Sequence, residues 1–122
     1  MFDCFLLIQT LHLIYDVPSA IQHAHRILKP GGVLLATVPA VGRIPNPGDG
    51  MSYWRFTSAS CQRLFAETFG SENVEVSAYG NVLACSAHLM GMAYEELSKA
   101  ELDFNDPRFP LVVAVRAVRA AR

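Results

Sequence analysis

The side chains best suited to chemistry fall in two short stretches. The first is Gln9-Thr10-Leu11-His12, directly after an apolar run. His12 is the candidate general base, or a hydrogen-bond donor to a substrate, because imidazole changes charge nearest neutral pH. Its alternative reading is a polar residue that lines a crevice or caps a helix. The second stretch is Tyr53-Trp54-Arg55, which follows a long Gly- and Pro-rich segment. An indole beside a guanidinium suits a sugar face or an anionic group, through stacking and a bidentate hydrogen bond. The alternative is structural: Trp54 anchors the loop and Arg55 pairs with a carboxylate.

Other chemistries lack their residues. His23 and His25 are two apart on a helical stretch and do not share a face, so they offer no metal site. There is no Gly-x-Ser-x-Gly elbow for a hydrolase and no Gly-x-Gly-x-x-Gly for a dinucleotide. Cys4, Cys61 and Cys85 are an odd set without a Cys-x-x-Cys, which points to a reducing, cytoplasmic setting. A net charge of −1 provides no basic field for nucleic acid or an acidic membrane. Arg116, Arg119 and Arg122 read as a strand end with a solvated tail. Gln9, Thr10 and His12 interrupt the first apolar run, so it is too short for a membrane span of about 20 residues.

The elements that position these side chains follow from periodicity. With 122 residues, 52% hydrophobic and 17% charged, the chain suits one well-buried domain. Phe2 to Ile8 is a nearly continuous apolar run, as in strands covered on both faces. Asp16 caps a helix whose stripe is Val17, Ala20, Ile21, Ala24, Ile27 and Leu28. Lys29-Pro30-Gly31-Gly32 reads as a tight turn into a second apolar strand, Val33 to Val38. Strand, helix and strand make a crossover unit, which forces the two strands parallel. Ala40 to Tyr53 is a loop of the length typical of lids and substrate loops. Thr57 or Ser58 opens a helix that Gly70 ends. Asn73 to Tyr79 is a strand, Val82 to about Met92 a helix, and Tyr94 to Ala100 a more polar helix. Leu111 to Val118 is the last strand.

This order of features resembles class I S-adenosylmethionine-dependent methyltransferases, of the type 11-like kind. The residues that carry the resemblance are Phe2-Asp3, the buried run, Leu11-His12, Asp16 and "LKPGGVLLATVP" (Leu28 to Pro39). "YWRFT" (Tyr53 to Thr57), Phe69-Gly70 and "ELDFNDPRFPLVVAVRA" (Glu101 to Ala117) resemble a bacterial subgroup. The resemblance implies an α/β fold, a partial Rossmann-like sheet with helices on both faces. Its four strands would be the family's fourth, fifth, seventh and sixth in spatial order, the seventh antiparallel. Residues 1–122 would then be the C-terminal half of the domain. The glycine-rich cofactor loop and the ribose-binding acid would lie outside them.

By the same resemblance Gln9, Thr10 and Leu11 would face S-adenosylmethionine, and His12 would face the methyl acceptor. Tyr53, Trp54 and Arg55 would contact that acceptor, a small molecule or saccharide. The resemblance implies no metal. The competing expectation is a non-catalytic fragment or pairing module that binds no cofactor by itself. In either case the first strand would have a free edge, able to pair with a second copy.

Overall fold

The computed structural model describes residues 1–121. Arg122, the end of the expected solvated tail, lies outside them. Four strands form one sheet: β1 (Phe2–Ile8), β2 (Leu28–Pro39), β3 (Val74–Tyr79) and β4 (Val112–Val118). Their spatial order is β1-β2-β4-β3. β1 and β2 run parallel, and β4 is antiparallel to both β2 and β3. This is the expected 4-5-7-6 arrangement with its reversed strand.

The crossover between β1 and β2 is α1 (Val17–Ile27). Asp16 caps it by accepting from the Ser19 amide at 3.2 Å and the Ser19 hydroxyl at 2.7 Å. Pro18 sits in the first turn, where an amide hydrogen would have no helical partner. α2 (Ser58–Phe69) begins with a reciprocal cap between Thr57 and Ser60. α1 buries Val17, Ile21 and Ala24, and α2 buries Cys61, Phe65 and Phe69. These meet Leu34, Ala36 and Val38 of β2 and Val113, Val115 and Ala117 of β4 in one core. The period of 3.6 in the helices and of two in the strands brings these side chains to the same layer.

The other face of β1 is open. Leu6 and Ile8 are 60% and 55% exposed, and Cys4 beside them is exposed too. Among the described residues β1 also has a strand partner on one side only.

Two local expectations were changed by packing. Lys29 to Gly32 is not a separate turn. It is a bulge within β2, because Phe2 pairs with Leu28 and Cys4 with Val33, leaving extra residues on β2. A Cβ at Gly32 would sit 2.8 Å from the Lys29 carbonyl oxygen, so only glycine fits there. Arg119 is not a solvated residue. Its Nη1 donates to the carbonyls of His25, Arg26 and Leu28, at 3.2, 3.2 and 2.6 Å. It therefore caps the carbonyl end of α1, where positive charge is favoured.

The chain after β3 is tied by one buried amide. Asn81 caps α3 (Val82–Leu89) by accepting from the Ala84 amide at 2.8 Å. Its Nδ2 donates to the carbonyls of Glu101 and Phe104, both at 2.7 Å. Those contacts hold α4 (Lys99–Asp103) and the segment leading to β4. The polar helix expected from Tyr94 is a short 3-10 turn at Tyr94–Glu96, followed by α4. Ser98 and Glu101 form a reciprocal cap that starts the helix at Lys99 rather than at Tyr94.

Two outcomes follow. Phe65→Ala removes a fully buried ring between α2 and the sheet, and should cost about 3–5 kcal/mol of stability in urea unfolding. For the edge, we expect the chain to self-associate through β1, and Leu6→Lys to abolish this by placing a charge on the open strand. Light scattering over a concentration series reads both; a wild-type monomer at every concentration would count against edge pairing.

Candidate functional site

β1 ends abruptly at Gln9. This residue has φ +50°, the left-handed region that a non-glycine residue enters at a cost of about 1 kcal/mol. Its position is secured by the neighbouring strand: the Gln9 amide donates to the Thr37 carbonyl at 2.9 Å, and Nε2 reaches Thr37 Oγ1 at 3.3 Å. The reversal directs the chain into a 3-10 turn at Leu11–Leu13 across the carboxyl ends of β1 and β2. Crevices at such strand ends are where open α/β sheets bind ligands.

The turn sorts its side chains. Leu11 is fully buried in the core, which pins the turn. Thr10 donates its hydroxyl to the Ile8 carbonyl at 3.0 Å. Gln9 and His12 line an open crevice of about 510 Å³. Its other wall is the loop after β2, with Gly42, Arg43, Ile44, Asp49 and Ser52 among its residues.

The two candidate stretches are joined through the backbone. The His12 carbonyl accepts from the amides of Tyr53 and Trp54, at 2.9 and 3.2 Å. That junction brings Arg55 to the same crevice as His12. Arg55 is held by three acceptors. Nη1 donates to Ser52 Oγ at 3.1 Å and to the Trp54 carbonyl at 2.8 Å, and Nη2 to the Arg43 carbonyl at 3.1 Å. Among the described residues no carboxylate pairs with it. Arg55 Nε and His12 Nδ1 are both buried without a partner.

Trp54 turns away from that crevice. Its indole stacks on Tyr15 with centroids 5.7 Å apart, and Nε1 donates to the Tyr15 carbonyl at 3.2 Å. The Tyr53 ring meets Tyr15 edge-on at 5.3 Å. The aromatic residues thus anchor the end of the loop beside α1. Trp54 also lines a second cleft, of about 420 Å³, with Tyr15, Pro18 and Arg63. Arg55 borders both cavities, Trp54 lines the second, and Tyr53 lines neither, so the structure does not gather the triplet at one site.

His88, at the end of α3, completes the first crevice. Sequence reading passed over it, since α3 looked like a core helix of small residues. The signal in the sequence is its side-chain type: His88 and Cys85 are the ionisable side chains of that helix. Gly42 and Arg43 gave no signal, because loop residues have no periodicity.

A family model described as a methyltransferase domain matches residues 1–36. No curated protein gives a significant match to the sequence. Among solved structures, the fold is similar to phosphoethanolamine N-methyltransferase 2 of Haemonchus contortus, in complex with phosphomonomethylethanolamine and S-adenosylhomocysteine. The TM-score is 0.61 at 17% identity, covering 98% of this chain and 34% of that one. It is similar also to an S-adenosylmethionine-dependent methyltransferase of Thermotoga maritima described as a possible histamine N-methyltransferase. There the TM-score is 0.61 at 20% identity, over 97% of this chain and 56% of that one. The chain thus spans from a third to just over half the length of these structures. The fold is that of the class I, Rossmann-like methyltransferases, as the sequence resemblance implied.

Burial and the Arg55 charge, in that order, lower the His12 pKa from the ordinary 6.5. His25 is lowered likewise, by burial and then by Arg119. A histidine with a depressed folded-state pKa contributes stability that is fully present above its unfolded value. That stability is lost as pH falls through the folded value. The thermal midpoint should therefore drop as pH falls below 6.5. In an NMR titration, Arg55→Gln should raise the His12 pKa toward its ordinary value; an unchanged His12 titration would mean that Arg55 does not act on it.

Proposed function

We propose that this chain forms the acceptor-side wall of an S-adenosylmethionine-dependent methyltransferase acting on a small molecule or saccharide. The observation that carries this reading is the convergence of Gln9, His12 and Arg55 on one crevice at the carboxyl ends of β1 and β2. In a methyltransferase fold that edge is where cofactor and acceptor meet.

The residues present fit one flank of the cofactor. Gln9 and Thr10, with the Leu11 backbone, offer polar groups at the strand end, matching the methionine portion. No Gly-x-Gly-x-x-Gly occurs in the sequence, so the family's glycine-rich loop and ribose-binding acid are not among the groups that these residues offer the cofactor. When bound, S-adenosylmethionine supplies an activated methyl on a sulfonium. The protein's task is then to hold the acceptor in line at near-attack distance. His12 serves this as an uncharged imidazole above its lowered pKa, able to accept a proton from an acceptor hydroxyl or amine or to orient it. Tyr53 and Trp54 anchor the end of the loop against Tyr15, and Arg55 presents the acceptor-facing charge. The free thiols of Cys4, Cys61 and Cys85 suit a reducing compartment, and we place the chain in the cytoplasm.

A second reading is a pairing module without catalysis of its own. The exposed apolar strand β1, with a free edge and an open face, favours it. Calorimetric titration of the chain with S-adenosylhomocysteine separates the two. Micromolar binding is the result expected if the wall alone retains cofactor grip, and it would sink the pairing-only reading. Absence of heat at millimolar ligand, together with stable self-association, would leave the pairing module standing.

A further inference from the structure

The crevice contains a cradle that neither His12 chemistry nor cofactor binding uses. Gly42 has no side chain, and the point where its Cβ would sit is surrounded by nitrogen. His88 Nε2 lies 3.6 Å from that point, Arg55 Nε 3.8 Å and Arg55 Nη2 3.9 Å. The guanidinium is fixed from its other side, since Nη1 is spent on Ser52 and the Trp54 carbonyl. Nη2 gives one hydrogen to the Arg43 carbonyl at 3.1 Å, so the edge that faces the cradle offers the Nε hydrogen and the second Nη2 hydrogen. Nε has no partner at all, and His12 Nδ1 on the same crevice has none.

Leaving a buried donor unpaired is costly, more so for a charged group. Arg43 adds a second cation to the wall. The acid on the crevice is Asp49, whose Oδ1 accepts from the Met51 amide at 3.1 Å. Two arginines against one aspartate leave a positive surplus. A planar guanidinium edge with a third donor beside it matches the paired oxygens of a carboxylate or phosphate.

We infer that Gly42, Arg55 and His88 form an oxyanion subsite, which holds a carboxylate or phosphate group of a small acceptor. This deepens the proposed function, and it rests on that reading only for which molecule carries the oxyanion. Anchored there, the acceptor's remaining atoms extend along the crevice toward His12 and Gln9. Specificity follows from the cradle: an acceptor without an anionic group leaves Arg55 Nε unpaired.

The test is an NMR titration of the whole chain with inorganic phosphate and, separately, with acetate. Saturable shifts are expected at the His88 and His12 rings and at Arg55 Nε. Arg55→Gln should weaken binding by roughly tenfold or more, the scale of a lost charge-assisted pair. Gly42→Ala should weaken it comparably while keeping every charge, because the new methyl fills the cradle. His88→Gln guards against a loop rearrangement in the other variants, since among the described residues the His88 side chain makes no hydrogen bond; it too should weaken binding. Tighter binding of phosphate would assign a phosphorylated acceptor, and tighter binding of acetate a carboxylate. Absence of saturable shifts, or affinity unaltered in Gly42→Ala, would overturn the subsite and reduce the effect to surface charge. Phosphate binding that persists where S-adenosylhomocysteine fails to bind would count against methyl transfer and leave the subsite intact.

Discussion

The rest of the structure depends on the double pairing of β2. This strand is hydrogen-bonded in parallel to β1 on one side and antiparallel to β4 on the other. Its inward residues, Leu34, Ala36 and Val38, are all but inaccessible to solvent and form the floor on which α1 and α2 pack. Its carboxyl end fixes where β1 must stop. The Thr37 backbone and hydroxyl hold Gln9 in its reversed conformation, and the reversal sends His12 into the crevice. A shift of one residue in the pairing would turn every core side chain of β2 outward and move the site with it.

Polar contacts at the two ends of the sheet confine that core. At one end Arg119 satisfies the last carbonyls of α1, linking the final residues of the chain to the first helix. At the other, Asn81 joins the start of α3 to the segment before β4. Gly80 permits this closure: a Cβ there would lie 2.5 Å from the Leu111 amide nitrogen. Buried polar groups that are fully paired in this way specify one arrangement, since breaking any contact leaves a desolvated donor or acceptor. The crevice departs from that pattern, with His12 Nδ1 and Arg55 Nε left unpaired. Unpaired buried groups of this kind are expected where a ligand completes the hydrogen bonding.

The sheet is also uneven in burial. Its core face is packed by two helices, and its other face at β1 exposes Leu6 and Ile8. A near-continuous apolar run is the sequence of a strand covered on both faces. The residues of β1 thus carry a demand for cover that the described chain does not meet.

The sequence by itself determined the elements and their order. The stripe Val17, Ile21, Ala24 and Leu28, the caps at Asp16 and Thr57, and the β-branched run of β4 are local features, set by side-chain period and backbone preference. The crossover rule made β1 and β2 parallel, and the resemblance supplied the reversed last strand. His12 and Arg55 were legible as reactive types at element ends. Only the tertiary structure decided that they share a crevice while Trp54 turns to Tyr15, because two amide hydrogen bonds to the His12 carbonyl set that junction across a separation of some forty residues. Tertiary structure alone likewise recruited His88 and Gly42 and converted Arg119 from tail to cap. Such contacts have no period and no local propensity; they exist only once the sheet has brought distant carbonyls and side chains within hydrogen-bond reach.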